Sequence, residues 1–145
     1  MKYVYLLCAM FFYSSVSLAS VVESCPRAET VTLRNGIYTA PANASAAEWI
    51  AVASAPTASP LKTFEAAVFY PANNEAGSTG RIGYCEYRAA DRSLLNLHYN
   101  NPDASGDAMT LVEARNWKMY TSGFGLAFYE CNSSDTNGCS FSVRN

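Results

Sequence analysis

Short runs of β-branched and aromatic residues, separated by Gly, Pro, Asn, Asp and Ser, dominate the chain from residue 30 onward. The clearest example is TVTLR at 30–34, which is followed by Asn35-Gly36 and then by Ile37. Asn-Gly between two such runs is the strongest short-range hairpin signal, because both central turn positions need positive φ. About seven to nine short strands with frequent turn signals predict an all-β fold, an antiparallel sandwich or barrel.

The predicted strands have uneven patterns. In the segment 61–70, Leu61, Phe64 and Val68 have helical spacing, whereas the AVFY end favours a strand, which we predict from about Phe64. The segment 110–121 reads as one long or broken strand. The other predicted strands are 30–34, 37–39, 48–53, 81–89, 93–100, 124–131 and 140–144.

The first residues have the layout of a secretory signal peptide. Lys2 precedes an uncharged apolar run at 3–13, and small residues follow, with Ser17 and Ala19 at the −3 and −1 positions. The run is shorter than the ~20 residues that a membrane-spanning helix needs. We therefore predict cleavage of residues 1–19, a single domain at 20–145 without membrane insertion, and a secreted or periplasmic location.

Four cysteines remain after this cleavage: Cys25, Cys85, Cys131 and Cys139. An even count after an export signal predicts two disulfides, and four cysteines allow three pairings. We favour Cys131–Cys139, because the intervening NSSDTNG consists of turn formers, and this choice leaves Cys25–Cys85. A zinc site is not expected, since the chain has one histidine and no close Cys pair.

The charge balance excludes some classes of partner. The chain has 10 Lys and Arg against 12 Asp and Glu, a formal net charge of −2. Nucleic-acid binders usually have a basic surplus on one face, so we expect no nucleic-acid partner. Half of the residues are hydrophobic, enough for a core, which argues against disorder.

Candidates for catalysis are weak. His98 is the single histidine, and it lies on the polar face of a predicted strand, with no Gly-x-Ser-x-Gly motif in the chain. Glu65, Glu86, Glu113 and Glu130 fall in predicted strands, and paired carboxylates can hydrolyse glycosides. Charged strand residues are usually the solvated face, so we predict no catalytic residue and keep a small secreted hydrolase as the alternative.

One loop has alternating oxygen ligands of the kind that suits calcium, at Asp103, Ser105 and Asp107. The EF-hand pattern fails, because Ala108 stands where Gly is needed and Ala114 where Glu is needed. We predict an ordinary turn loop, with no metal and no cofactor.

Aromatic residues are more informative than charged ones. Trp49 and Trp117 are predicted core residues. In the strand at 81–89, we expect Ile82 and Tyr84 on one face and Cys85 and Tyr87 on the other. Tyrosines on a sheet give a large contact area at low entropy cost, and the candidate binding residues are Tyr84, Tyr87, Tyr99, Tyr120 and Tyr129.

The order of these motifs resembles a family of small exported bacterial proteins catalogued as a domain of unknown function. The motifs are Cys25-Pro26, Gly36-Ile37-Tyr38, Trp49-Ile50, Phe64-x-x-Ala67, Cys85-Glu86-Tyr87, Leu95-x-Leu97 and Trp117. The resemblance implies an exported, disulfide-bonded, β-rich domain, and it implies no activity or catalytic residue.

Two functions from different classes follow from these observations. The first is a non-enzymatic module that binds a protein or a glycan through a tyrosine-bearing sheet face, with an inhibitor of a hydrolase as one version. The second is the small hydrolase with paired carboxylates. Two carboxyl groups about 5–9.5 Å apart in a cleft favour the second, whereas an open aromatic face favours the first.

Overall fold

The computed structural model describes residues 19–54, 58–103 and 109–144, and the predicted signal peptide at 1–19 lies almost entirely outside this range. Within it the chain forms four short 3-10 turns, at Ala28–Thr30, Ala72–Asn74, Ala114–Asn116 and Thr136–Cys139. The strands are β1 (Ser20–Ser24), β2 (Thr32–Arg34), β3 (Ile37–Pro41), β4 (Glu48–Val52), β5 (Leu61–Pro71), β6 (Thr79–Ala89), β7 (Leu94–Asn100), β8 (Met109–Leu111), β9 (Lys118–Thr121), β10 (Ala127–Cys131) and β11 (Ser140–Arg144). In the described part of the chain, no helix has the length and hydropathy to cross a membrane.

The strands form one curled antiparallel sheet, a half-barrel, which confirms the predicted all-β class. The order along the sheet is β1-β11-β8-β6-β7-β4-β3-β2, while β5 pairs with β6 and leads to β10 and then β9. The described residues form eleven strands instead of the expected seven to nine. The predicted segment 110–121 is broken into β8 and β9 by the 3-10 turn at Ala114–Asn116, and β1 was not anticipated.

Two predicted strand starts differ from the structure by three residues, and other boundaries shift by one or two. β5 begins at Leu61 because its first residues already pair with the end of β6, so the strand pattern overrides the helical spacing. β10 begins at Ala127 and not at Phe124, because residues 122–125 form a turn in which the Gly125 N–H donates to the Ser122 carbonyl. Gly125 has a φ of 78°, which ends the extended conformation there.

Strand β6 is the branch point of the sheet. One edge pairs with β5, whereas the other edge pairs with β8 at its first two residues and with β7 at 85–88. Between these ladders, side chains bond to the backbone of β6. The Ile82 N–H donates to Met109 Sδ at 3.2 Å, and the Gly83 carbonyl lies 3.1 Å from His98 Nδ1. The sheet therefore divides into one arm with β8, β11 and β1 and another with β7, β4, β3 and β2.

The centre of the core lies between these two arms. The ring of Trp49 on β4 packs edge-on against Tyr99 of β7, at 5.1 Å between centroids, and against Phe141 of β11, at 6.3 Å. Trp117 packs against Phe69 of β5 at 6.0 Å. Trp49 and Trp117 are 1% and 5% exposed, which confirms both as core residues. Aromatic pairs in this geometry contribute about 0.5–1.5 kcal/mol beyond the area that they bury.

Both favoured disulfides are present. Cys25–Cys85 joins the segment after β1 to the middle of β6, and Cys131–Cys139 closes the connection between β10 and β11. All four cysteines are buried. Two buried disulfides indicate an oxidising, extracytoplasmic environment.

A buried carboxylate connects β1 to the opposite arm. Glu23 is 2% exposed, and its Oε1 accepts the Ala44 N–H at 2.7 Å and the Tyr99 hydroxyl at 3.2 Å. Beside it, the Asn43 amide donates to the Val22 carbonyl at 2.8 Å. Because a buried carboxylate is costly unless it is hydrogen-bonded, these donors stabilise β1 in its position.

Candidate functional site

Strands β9, β10, β5, β6 and β7 present one outward face opposite the core. Directly paired residues of antiparallel strands share a face, and the pairs here are Tyr120–Phe128, Glu130–Val68 and Val68–Tyr84. Glu86 of β6 is paired with Asn96 of β7. His98 lies two residues after Asn96 on β7 and therefore on the same face. We call this surface the tyrosine face and define it by Tyr70, Tyr84, Glu86, His98, Tyr120, Phe128 and Glu130.

The structure brings together two of the five predicted tyrosines on this face, Tyr84 and Tyr120. Tyr87 is fully buried on the core side, and its hydroxyl donates to the Pro26 carbonyl at 2.5 Å. Its ring therefore has no surface for a ligand. Tyr99 and Tyr129 are partly buried and pack against the core. The Tyr129 hydroxyl accepts the Gly77 N–H at 3.1 Å.

A β-bulge at Gly83 corrects the predicted alternation along β6. The register with β5 shifts between Val68 and Phe69, so that Ile82 is paired with Phe69 and Tyr84 with Val68. The extra residue puts Ile82 on the core side, where it is 7% exposed, and leaves Tyr84 on the outside. The expectation that Ile82 and Tyr84 share a face was wrong for this reason.

Tyr70 was not predicted as a site residue, and its ring lies over Gly83. A Cβ atom added at Gly83 would stand 2.5 Å from a Tyr70 ring carbon, closer than any real contact. The glycine thus creates the space in which the Tyr70 ring lies against the sheet. A glycine inside a strand pattern often marks a bulge or a close approach, and this was the signal in the sequence.

Tyr84 lies in the middle of the face beside two carboxylates. Burial raises the pKa of its hydroxyl, and the neighbouring Tyr70 and the charges of Glu86 and Glu130 raise it further. Its ring packs edge-on against His98 at 6.2 Å. The surroundings of Tyr84 are therefore electronegative and partly shielded from water.

At the other end of the face, two rings are stacked across β9 and β10. Tyr120 and Phe128 lie 5.6 Å apart with 22° between their planes. The Lys118 ammonium lies 5.3 Å from the centre of the Tyr120 ring, within the range of a cation–π contact. These contacts hold a second aromatic platform in place.

The four candidate carboxylates separate into two groups. Glu86 and Glu130 share the tyrosine face. Glu65 forms an ion pair with Arg88 at 2.9 Å. Glu113 has a φ of 50° before the third 3-10 turn and accepts a hydrogen bond from the Asn116 amide at 3.3 Å. The described residues therefore place two of the four carboxylates near a common surface.

His98 was predicted to lie on the polar face of its strand. The structure places it on the tyrosine face, with Nδ1 at the Gly83 carbonyl. Together with Glu86 and Leu94 it lines an open groove of about 350 Å³ between β4 and β7.

The described residues contain no group of three or more His, Cys, Asp or Glu side chains that could hold a metal ion. Of the calcium candidate, Ser105 and Asp107 lie outside the described residues. The Asp103 N–H donates to the Asn101 side chain at 3.0 Å, a contact typical of an Asx turn.

Comparisons with known proteins bear on the family. The family model described as "Protein of unknown function (DUF3757)" matches residues 20–142. Neither the curated proteins nor the solved structures contain a match to the chain. The family match confirms the resemblance to a domain of unknown function. The chain therefore belongs to the DUF3757 family.

Proposed function

We propose that this domain is an exported, non-enzymatic binding module, secreted or periplasmic, which binds a glycan through the tyrosine face. The observation that carries the proposal is the combination of Tyr70 and Tyr84 with two carboxylates on one open surface. Aromatic rings stack against the apolar faces of sugars, and carboxylates accept hydrogen bonds from sugar hydroxyl groups. The disulfides and the signal-peptide layout support export.

The same features favour a glycan over a protein partner. The centres of protein interfaces are depleted in charged residues, since burying an unpaired carboxylate under a protein is costly. Glu86 and Glu130 flank the central ring of the tyrosine face and form no ion pair with a described residue. A hydrated glycan supplies many hydroxyl donors to such groups without excluding all water. A protein ligand, including a hydrolase to be inhibited, is the competing outcome of the test.

The alternative of a small hydrolase depends on the same two carboxylates. The register places Glu130 and Glu86 two strands apart, with Val68 and Tyr84 between them. Glycoside hydrolysis needs two carboxyl groups about 5–9.5 Å apart on either side of the scissile bond. This reading predicts that the protein releases reducing ends from a bound glycan and that Glu86→Gln and Glu130→Gln each abolish the release.

The test is binding of the oxidised protein to a panel of neutral and acidic oligosaccharides. We expect Tyr84→Ala and Tyr120→Ala each to weaken binding of the same glycan at least about tenfold, because each removes a stacking ring. Val22→Ala is the matched control, since Val22 is an exposed apolar residue of β1 in the other arm of the sheet, 52% accessible and away from the tyrosine face.

Three results would contradict the proposal. One is the absence of binding to any glycan of the panel, and another is equal binding by wild type and both tyrosine variants. The third is turnover of the bound glycan that Glu86→Gln abolishes, which would replace the binding module by the hydrolase. Unfolding midpoints of all variants show whether a loss reflects the site or the fold.

A further inference from the structure

A cleft of about 370 Å³ opens at the end of the tyrosine face, where β5 leads into the second 3-10 turn. Its walls are Tyr70 and Pro71 on one side and Leu126 and Ala127 on the other, and Arg81 and the Asn73–Asn74 turn complete it. The volume lies within the range of small-molecule sites, which is about 300–1,000 Å³.

The cleft is held in shape before any ligand arrives. Asn74 has a φ of 58°, and its side chain bonds to the opposite wall at both ends. Its amide donates to the Gly125 carbonyl at 2.8 Å, and its oxygen accepts the Ala127 N–H at 2.6 Å. The Tyr70 ring is positioned against Gly83. Since both walls are positioned by their own contacts, binding of a ligand costs little conformational entropy.

Arg81 provides the charge of the cleft. It is exposed and paired with Tyr70 across β5 and β6, which puts both side chains on the same side of the sheet. The Arg81 side chain forms no ion pair or hydrogen bond with a described residue, whereas Arg88, at the other end of β6, is bonded to Glu65 at 2.9 Å. A guanidinium group has planar donors that match the two oxygens of a carboxylate.

We infer that this cleft binds a single uronic acid residue of a glycan whose other residues, over Glu86 and Glu130, are neutral. The Arg81 guanidinium donates to the sugar carboxylate, the Tyr70 ring packs against the apolar face of the sugar, and Leu126 covers the opposite side. Asn73, on the rim of the cleft, has an amide for the ring hydroxyl groups. This inference rests on the proposed glycan binding and adds the charge of the sugar and its position on the molecule.

The experiment compares neutral tetramers that carry one terminal galacturonate or mannuronate with their carboxyl-reduced counterparts, by calorimetry on the oxidised protein. We expect wild type to bind at least one acidic tetramer about tenfold or more tighter than its neutral counterpart, because the bidentate contact is lost on reduction. Arg81→Met should remove this preference, and Arg81→Lys should restore a part of it, because lysine keeps the charge without the planar fork.

Arg34→Met is the matched control, since Arg34 is an exposed arginine on β2, away from the cleft, and its loss changes the net charge equally. Equal weakening by Arg34→Met and Arg81→Met would show a general charge effect and would overturn the inference. Unfolding midpoints of both variants should stay at the wild-type value.

The remaining outcomes separate this inference from the proposed function. Equal binding of acidic and neutral tetramers, lost in Tyr84→Ala, would overturn the uronic acid cleft and leave the glycan-binding module intact. Binding of sulfated but not uronic oligosaccharides through Arg81 would also overturn the assignment of a carboxylate. If no oligosaccharide binds, both the cleft assignment and the proposed function fail.

Discussion

Tyr84 and Tyr87 lie three residues apart on β6, and they do different things. Tyr87 is fully buried, and its ring packs edge-on against Phe64 at 5.6 Å. Tyr84 faces outward beside Glu86 and Glu130. The same residue type on one strand thus stabilises the core on one side and forms a candidate ligand surface on the other. An odd spacing along an extended chain is enough to produce the difference.

The largest effect is expected on the core side of β6, at the disulfide of Cys85. Replacing Cys25 and Cys85 together by Ser removes a cross-link between residues 60 apart in sequence. This should lower the free energy of unfolding by about 4 kcal/mol, and the buried hydroxyl groups add a further cost. Urea unfolding of the oxidised proteins measures the change.

The control for loop length is the pair Cys131→Ser and Cys139→Ser. These cysteines are also buried but only 8 residues apart, so the expected loss is smaller, about 2.5 kcal/mol plus a similar burial cost. An equal or larger loss than in the first pair would contradict the role of the long cross-link.

The next effect compares the two tyrosines directly. Tyr87→Ala should lower the free energy of unfolding by about 3–5 kcal/mol, because it opens a cavity in the core. Tyr84→Ala should cost about 1 kcal/mol or less, because its ring is on the outer face. The midpoints of denaturant unfolding, compared between variants with equal m-values, measure both changes in stability. Similar losses of stability in the two variants would contradict this expectation, because they would show that Tyr84 is part of the core.

The smallest expected effect is on the stability of the fold at alkaline pH. Burial raises the pKa of the Tyr87 hydroxyl far above its ordinary value. In the unfolded chain the hydroxyl loses its proton at about pH 10. Above this pH the folded state holds more protons than the unfolded state, so the free energy of unfolding falls as pH rises. Tyr87→Phe should flatten this decline and cost about 1 kcal/mol at pH 7, through the lost bond to Pro26.

Tyr84→Phe is the control for this pH profile. Burial also raises the pKa of the Tyr84 hydroxyl in the wild type. This group is partly exposed, so solvent screening reduces its contribution to the pH dependence of stability. Tyr99 keeps part of the decline in both variants, since burial raises its pKa as well. The measurement is the unfolding midpoint between pH 8 and about 11.5, and a steeper decline in Tyr87→Phe would contradict the sign of the linkage.

Much of the architecture was predictable from local patterns. The Asn35-Gly36 hairpin formed as expected between β2 and β3, with φ of 50° and 78° at its two turn residues. The pairing of Cys131 with Cys139 followed from the turn formers between them. Such signals are readable because each involves residues that are close in sequence.

The composition of the candidate site was less predictable. Tyr99 was a candidate binding residue, yet it packs against the core, where its hydroxyl donates a hydrogen bond to Glu23 of β1 at 3.2 Å. These residues are 76 positions apart, so no local pattern indicates the contact. Tyr70 was missed for a related reason, because its place depends on a bulge in the neighbouring strand at Gly83.

The sequence by itself determined the all-β class and the number of disulfides, because alternation and turn chemistry act locally and cysteines can be counted. Alternation separated Tyr84 from Tyr87, but only the tertiary structure decided which face of each strand points outward. That choice depends on the register between strands, and a single bulged residue moves every later side chain of the strand to the opposite face. The tyrosine face and its arginine cleft are therefore products of pairing between strands distant in the chain.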